Sequence, residues 1–180
     1  TDQNLQMLRG RFTGNPLLEL VSLHCHYSGP ERSASHFAAR CGALKNAYEV
    51  LKPVGSVRTL NIGGGMVGPI PADQHADWNF ELPTWPAYAS AIRSVLGDTL
   101  EKDGLGLIIE PGSAVVADTF AFVAEVVATK EAGGQRLAIV NTSNTVLRPT
   151  GHGKKLSFEV ISAAGRSAVA TPGDRTVIAG

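Results

Sequence analysis

Three short segments carry residue types that can bind a small charged ligand. They are His24-Cys25-His26-Tyr27-Ser28-Gly29, Asn61-Ile62-Gly63-Gly64-Gly65 and Glu110-Pro111-Gly112-Ser113. Each follows a short apolar run of the kind that forms a buried strand. In parallel α/β folds the carboxyl ends of the strands form the ligand site. We therefore expect the three segments to meet at one edge of a sheet.

The glycine run Gly63, Gly64 and Gly65 has two interpretations. A glycine loop lets backbone N–H groups approach a phosphate that side chains would obstruct. Glycine is also the residue that a turn with positive φ requires. Taken alone, the run does not decide between a phosphate site and a turn.

His24 and His26 are two residues apart, so in a strand both rings lie on one face. They could be hydrogen-bonded histidines at the rim of a barrel, or two ligands of a metal ion. A metal-dependent hydrolase would need further ligands at later strand ends. The remaining histidines fall in a predicted helix, a long loop and a β region (His36, His75 and His152). We therefore expect no metal site.

Glu110 closes the apolar run Leu107–Ile109. A carboxylate in this position can cap a helix or pair with a basic side chain. It can also pair with a ligand cation, such as a protonated pyridine nitrogen, because a carboxylate stabilises the protonated ring.

Hydrophobic spacing predicts the elements that would position these segments. We expect helices over 1–14, 31–52 and 84–102, and strands over 17–26, 56–62 and 104–109. Ser28 and Glu31 have the spacing of a capping box for the second helix. The alternation of strand and helix indicates a parallel α/β fold.

After Gly112 the pattern changes to strand-like segments over 120–129, 135–142, 155–161 and 176–178. Turns such as Gly133-Gly134 separate them, and no long segment with helical spacing intervenes. We predict a boundary near residue 113, with an α/β domain over 1–113 and an antiparallel β domain over 114–180.

Composition excludes several classes of function. Apolar residues make up 43% of the chain and charged residues 18%, and the formal net charge is zero. A nucleic-acid or anionic-membrane surface would need a basic field, and no apolar run is long enough to span a bilayer. Two cysteines make no disulfide framework, so we expect a cytoplasmic protein. The chain begins at Thr1, and both ends fall inside predicted elements; we expect a piece of a longer protein without a signal peptide.

The ordered set HCHYSG, LNIGGG and IIEPGS resembles three motifs of the fold-type III pyridoxal-phosphate-dependent amino-acid decarboxylases. This family includes diaminopimelate, ornithine, arginine and carboxynorspermidine decarboxylases. The resemblance implies an α/β fold: the C-terminal half of an alanine-racemase-like (β/α)8 barrel over 1–113, and the start of an antiparallel β domain over 114–180. It also implies pyridoxal 5'-phosphate as cofactor, an amino acid as the small-molecule substrate and a homodimer.

The same resemblance implies roles for individual residues. His26 matches the histidine that stacks on the cofactor ring, and Glu110 matches the acid at the pyridine nitrogen. These two would be the catalytic residues. The other cofactor-binding positions are those around the phosphate: Ser28, Gly29, Gly63, Gly64, Gly65 and Ser113. Arg148 and His152 match two substrate-binding positions, although Arg148 could also be a surface residue on a turn before Pro149.

Several positions depart from the family pattern. The order Ser28-Gly29 replaces Gly-Ser, so the hydroxyl that would reach the phosphate is undecided. Ser113 stands where many members have arginine, and His152 stands where the substrate-binding motif has tyrosine. These departures argue against a true diaminopimelate decarboxylase. The cofactor-binding lysine and a catalytic cysteine have no counterpart, so we expect the chain alone to be inactive.

Three alternatives remain open. A racemase of the same fold type would place arginine at the ring nitrogen, whereas an acid there favours decarboxylation. A non-catalytic pyridoxal-phosphate-binding barrel protein would usually have a single domain, unlike this chain. The third alternative is a metal-dependent barrel hydrolase that uses His24 and His26.

Overall fold

The computed structural model describes residues 2–68, 80–116, 118–147, 158–162 and 176–179. The chain divides into two compact units, Thr1–Asp118 and Thr119–Gly180. Arg148, His152 and residues 155–157 of the predicted strand over 155–161 lie outside the described residues. The described remainder of that segment, residues 158–161, forms no strand beyond a single bridge at Ile161. The assignment of residues 1–113 to part of a barrel and of 114–180 to part of a β domain remains a prediction.

The first unit is built on a parallel three-stranded sheet, as its sequence predicts. Helix α1 (Asp2–Phe12) precedes strand β1 (Ser22–His24), helix α2 (Ala34–Leu51), a 3-10 turn (Lys52–Val54), strand β2 (Thr59–Asn61), helix α3 (Trp85–Asp103) and strand β3 (Gly106–Ile108). The strand order is β1-β2-β3. A single-turn helix, α4 (Ser113–Val116), follows.

Strand register separates the two faces of this sheet. Leu23 pairs with Leu60, while His24 pairs with Asn61 and Ser22 with Thr59. Leu23 and Leu60 are buried, whereas their neighbours on either side are exposed or half-buried. Because side chains alternate along a strand, the leucines occupy one face and the polar residues the other.

The spacing of apolar residues correctly predicts the buried face of α2. Phe37, Cys41, Leu44, Tyr48 and Leu51 are all buried there. The capping box expected at Ser28 and Glu31 is wrong. Ser33 caps the helix by accepting from the His36 N–H at 3.2 Å, and the Glu31 carboxylate accepts from the Ser33 N–H at 2.9 Å. The helix therefore begins at Ala34, and residues 27–33 form a connection without helix or strand.

Helix α3 has clear end signals. Thr84 accepts from the Ala87 N–H at 3.3 Å, and Pro86 lies in the first turn. The helix ends at Gly104, whose φ of 63° is left-handed. Side chains from both long helices pack with the leucine face of the sheet in one apolar core, which includes Leu23, Leu44, Leu60, Ile62, Tyr88, Ile92 and Leu96.

The second unit is a three-stranded sheet of order β4-β5-β6. Strands β4 (Val126–Ala132) and β5 (Gln135–Val140) form an antiparallel hairpin through Gly133-Gly134, whose φ values are 59° and 71°. Two consecutive positive φ angles are those of the turns that favour two-residue hairpins. A single-turn helix, α5 (Asn144–Leu147), follows.

Strand β6 (Thr176–Ala179) corrects the expectation of an antiparallel sheet, because it pairs with β5 in parallel. A two-residue turn forces neighbouring strands to run antiparallel, whereas a parallel pair requires a long crossover. Residues 141–175 separate β5 from β6 and provide that length.

No helix in the described part of the chain is both long enough and apolar enough to span a bilayer.

Candidate cofactor site

The carboxyl ends of β1, β2 and β3 bring three predicted side chains together. His24 Nε2 lies 3.6 Å from one carboxylate oxygen of Glu110, and His26 Nδ1 lies 3.8 Å from the other. The two imidazole rings are 6.1 Å apart and meet edge to face. Each of the three side chains is 44–50% exposed. The expectation that the three segments meet at one edge of a sheet is confirmed.

Asn61 connects the second segment to the third, and sequence analysis did not select it as a site residue. Its side-chain nitrogen donates to a Glu110 carboxylate oxygen at 2.8 Å, and its side-chain oxygen accepts from the Gly63 N–H at 2.8 Å. The N–H of Gly63 requires an acceptor, so it fixes which end of the amide faces the carboxylate. Asn61 therefore orients Glu110. Its position at the end of β2, between two candidate segments, was the available signal.

The ring of His26 is held by the glycine loop. The N–H of Gly64 donates to His26 Nδ1 at 3.2 Å. Nδ1 is therefore the accepting nitrogen, and in the neutral ring the proton is on Nε2. The 3.8 Å approach of the same nitrogen to Glu110 is too long for a hydrogen bond, so Glu110 does not orient the ring.

Close approach of backbone explains two of the glycines. A Cβ on Gly64 would overlap the carbonyl oxygen of Glu110. Gly63 has a φ of 68°, and a Cβ there would lie 2.9 Å from the carbonyl oxygen of Cys25. The positive φ of Gly63 agrees with the turn interpretation of the glycine run. The absence of side chains at these glycines is also what a phosphate-binding loop would need. The N–H groups of Gly63 and Gly64 donate to Asn61 and His26, so a phosphate role for these two residues remains a prediction.

The other predicted residues are less closely connected to this cluster. Ser28 and Ser113 are exposed, and Gly29 is half-buried. Within the described ranges, neither serine is hydrogen-bonded to His26, Asn61 or Glu110. Their contact with a phosphate remains a prediction, and so do the substrate roles of Arg148 and His152.

The described lysines lie away from the strand ends. Lys45 on α2 donates to the Val95 carbonyl at 3.2 Å, and Lys52 pairs with Glu49 at 2.6 Å. Lys102 is in the last turn of α3, and Lys130 is in β4. Within the first unit, Lys45, Lys52 and Lys102 therefore lie on the helices or the 3-10 turn and not at the strand ends that carry Glu110.

The cluster also has the composition of a metal site. One ligand atom from each of His24, His26 and Glu110 lies within 4.8 Å of the other two. Two imidazoles and a carboxylate suit zinc and similar divalent ions. A metal-dependent hydrolase needs a further ligand at a later strand end, and Glu110 lies at the end of β3. The expected absence of a metal therefore remains a prediction.

Comparison with known families decides the relationship. Residues 3–117 match the family model described as the pyridoxal-binding domain of pyridoxal-dependent decarboxylases. The chain belongs to this decarboxylase family. The resemblance read from the three segments is thereby confirmed, and pyridoxal phosphate is the cofactor that the family implies.

Two curated relatives are diaminopimelate decarboxylases. The protein of Streptomyces coelicolor is 30% identical over 165 residues, which are 91% of this chain and 36% of that protein. The protein of Escherichia coli strain K12 is 28% identical over 165 residues, 91% of this chain and 37% of that protein. The chain thus spans about a third of the length of these relatives.

A crystal structure of a diaminopimelate decarboxylase superposes with a TM-score of 0.69 at 23% identity, covering 98% of this chain and 40% of that one. This likeness shows the fold. The chain has an α/β structure with a parallel and a mixed sheet, and it shares the fold of decarboxylases with an alanine-racemase-like barrel.

Proposed function

We propose that this chain forms part of the active site of a pyridoxal-phosphate-dependent amino-acid decarboxylase. In this proposal residues 1–113 are the second half of the barrel, and residues 114–180 begin the β domain of a homodimer. The supporting observation is the Glu110 carboxylate, which Asn61 orients at the strand ends beside the ring of His26.

The described residues fit the cofactor. Glu110 presents a partly exposed carboxylate, which would face the pyridine nitrogen and hold its proton there, because a carboxylate stabilises a pyridinium. The ring of His26 would pack on the cofactor ring, and the glycine loop leaves room for its phosphate. When bound, pyridoxal phosphate supplies an electron sink for the bond to the departing carboxyl group.

An acid at this position also separates the decarboxylase proposal from the racemase alternative. A protonated ring withdraws electrons more strongly than a neutral one, and this favours loss of carbon dioxide. Glu110 is in the family-matched region and is hydrogen-bonded by a neutral amide. The presence of a second unit after Asp118 argues against a single-domain protein that only binds the cofactor.

The substrate in this proposal is an amino acid with a distal carboxylate. Arg148 would bind that carboxylate through two parallel hydrogen bonds, with His152 nearby. Diaminopimelate has a distal carboxylate, and the relatives described above are named for it. Their names support a diaminopimelate substrate, whereas Ser113 and His152, which depart from the family pattern, argue against it.

Replacement of Glu110 by glutamine tests the role of the carboxylate. In the full-length protein, Glu110→Gln keeps the shape of the side chain and removes its charge, so cofactor binding should persist while turnover falls roughly 100-fold or more. Glu101→Gln is the control, because Glu101 is 76% exposed on α3. A near-normal rate in Glu110→Gln would contradict the electron-sink role.

The three-donor cluster favours a metal-dependent hydrolase as the second candidate function. Elemental analysis of the same purified protein distinguishes the two. Stoichiometric zinc that disappears in His24→Ala, together with an absence of bound pyridoxal phosphate, would replace the decarboxylase proposal.

A further inference from the structure

Two arginines contact the glycine loop from the side of helix α2. Both terminal nitrogens of Arg40 donate to the carbonyl oxygen of Gly64, each at 3.1 Å. Arg32 Nη1 donates to the carbonyl oxygen of Gly65 at 3.2 Å. Two consecutive carbonyl groups of the loop are therefore directed toward guanidinium groups.

Arg40 is buried, with 7% of its surface exposed. Its guanidinium carbon lies 3.9 Å from the centre of the Phe37 ring, and that ring packs edge to face on Tyr88 at 4.6 Å. The Tyr88 hydroxyl accepts from the Val67 N–H at 3.1 Å and donates to the Arg32 carbonyl at 2.7 Å. The loop is thus held by side chains from both long helices.

The buried charge of Arg40 has no described acidic partner. Across the described ranges, no carboxylate forms an ion pair with it within 4.0 Å. Burial lowers the pKa of the Arg40 guanidinium. Burying a cation without a paired anion costs free energy. An anion on the other side of this loop would offset part of that cost by its attraction to the guanidinium.

The contacts of the two arginines determine where the N–H groups of Gly65 and Met66 point, because each peptide unit is planar. The described peptide bonds are all trans. In a trans peptide unit, C=O and N–H point in opposite directions because the unit is planar. With the Gly64 carbonyl directed at Arg40, the N–H of Gly65 points away from Arg40. With the Gly65 carbonyl directed at Arg32, the N–H of Met66 points away from Arg32.

We propose that Arg40 and Arg32 are positioning residues that direct the N–H groups of Gly65 and Met66 toward the cofactor phosphate. This inference rests on the proposed function. It keeps Gly65 from the predicted phosphate-binding glycines and adds Met66, which was not among the predicted site residues. The N–H groups of Gly63 and Gly64 are committed to Asn61 and His26, so the next two peptide units are the ones that the arginines orient.

The test compares two ligands that differ only in the phosphate. Affinities of pyridoxal phosphate and of pyridoxal are measured by titration calorimetry on the full chain of the protein. Arg40→Met should weaken binding of pyridoxal phosphate roughly 10- to 100-fold, the size expected for losing a hydrogen bond to a charged group. Pyridoxal binding should stay within about twofold of the original value, because pyridoxal lacks the phosphate that the two N–H groups would bind.

Two further variants make the result specific. Arg40→Lys keeps a buried cation that can reach one carbonyl, so it should recover part of the selectivity for the phosphate. Arg93→Met is the matched control, since Arg93 is 82% exposed and lies on α3. If Arg40→Met fails to fold, Arg32→Met makes the same comparison through the half-buried Arg32.

The outcomes separate this inference from the proposed function. Equal weakening of both ligands in Arg40→Met would mean that Arg40 only supports the fold, and unchanged binding of both would mean that the loop needs no arginine. Either result overturns the inference and leaves the proposed function standing. If the original protein binds pyridoxal phosphate no better than pyridoxal, both the inference and the phosphate site fall.

Discussion

The two faces of the parallel sheet in the first unit differ in what their residues contact. One face presents Leu23 and Leu60 to the helices, and both leucines are buried. The other presents Ser22, Thr59, His24 and Asn61, whose contacts are mainly hydrogen bonds. The chain thus places packing on one face and chemistry on the other. Changes on the first face should affect stability, and changes on the second should affect the site.

The largest stability change is expected on the buried face. Leu60 has no exposed surface, so Leu60→Ala should lower the free energy of unfolding by about 2–5 kcal/mol. Urea denaturation measures the loss. Leu17→Ala, at a position that is 89% exposed, should change stability by less than about 0.5 kcal/mol. A similar result for both variants would mean that Leu60 is not part of the core.

A smaller stability change and a larger functional one are expected at Asn61. In the full-length protein, Asn61→Leu removes the amide between Gly63 and Glu110. It should reduce kcat/KM by roughly tenfold or more while stability falls by about 1–2 kcal/mol. Steady-state rates and urea denaturation together measure the two effects.

Asn61→Asp makes the comparison sharper, because it keeps an acceptor for the Gly63 N–H but replaces the donor to Glu110 by a second carboxylate that repels it. A loss of rate in Asn61→Asp at least as large as in Asn61→Leu would assign the effect to the Glu110 contact. A stability loss in Asn61→Leu larger than that of Leu60→Ala would contradict the separation of the two faces.

The smallest effect is expected further along the exposed face. The Thr59 hydroxyl donates to the Ser22 hydroxyl at 2.8 Å, two residues before the site. Thr59→Val should change stability by less than about 0.5 kcal/mol and leave kcat/KM within about twofold. A much lower kcat/KM would show that the ligand surface extends beyond the strand ends, toward Ser22.

Local patterns in the sequence predicted the elements but not all of their partners. The spacing of Phe37, Cys41, Leu44, Tyr48 and Leu51 identified the buried face of α2, because such a face depends on helical periodicity. The start of α2 was wrong because Ser28 and Ser33 are both plausible caps, and the tertiary structure selects Ser33.

The site shows the same limit. His24, His26 and Glu110 were predicted together because each lies at the carboxyl end of a predicted strand, and parallel strands end at the same edge. Arg40 and Tyr88 were missed as parts of the site, since their contacts with the loop span 24 and 21 residues. In the sequence Arg40 belongs to an amphipathic helix, and nothing local indicates that it is buried. The parallel pairing of β6 was missed for the same reason, because register between distant strands has no local signal.

The pairing register of β2 determines both the burial of Leu60 in the core and the position of Asn61 at the site. Side chains on a strand alternate, so a slip of β2 by one residue would move Leu60 to the open face and turn Asn61 inward. Glu110 would then lose the amide that orients it, and the core would lose the leucine at its centre. Burial of the apolar Leu60 side chain therefore fixes the orientation of the polar residue next to it, Asn61. A misfolded form with that slip would lose stability and activity together. Correct pairing of β2 is therefore a shared requirement for the stability of the core and for the geometry of the site.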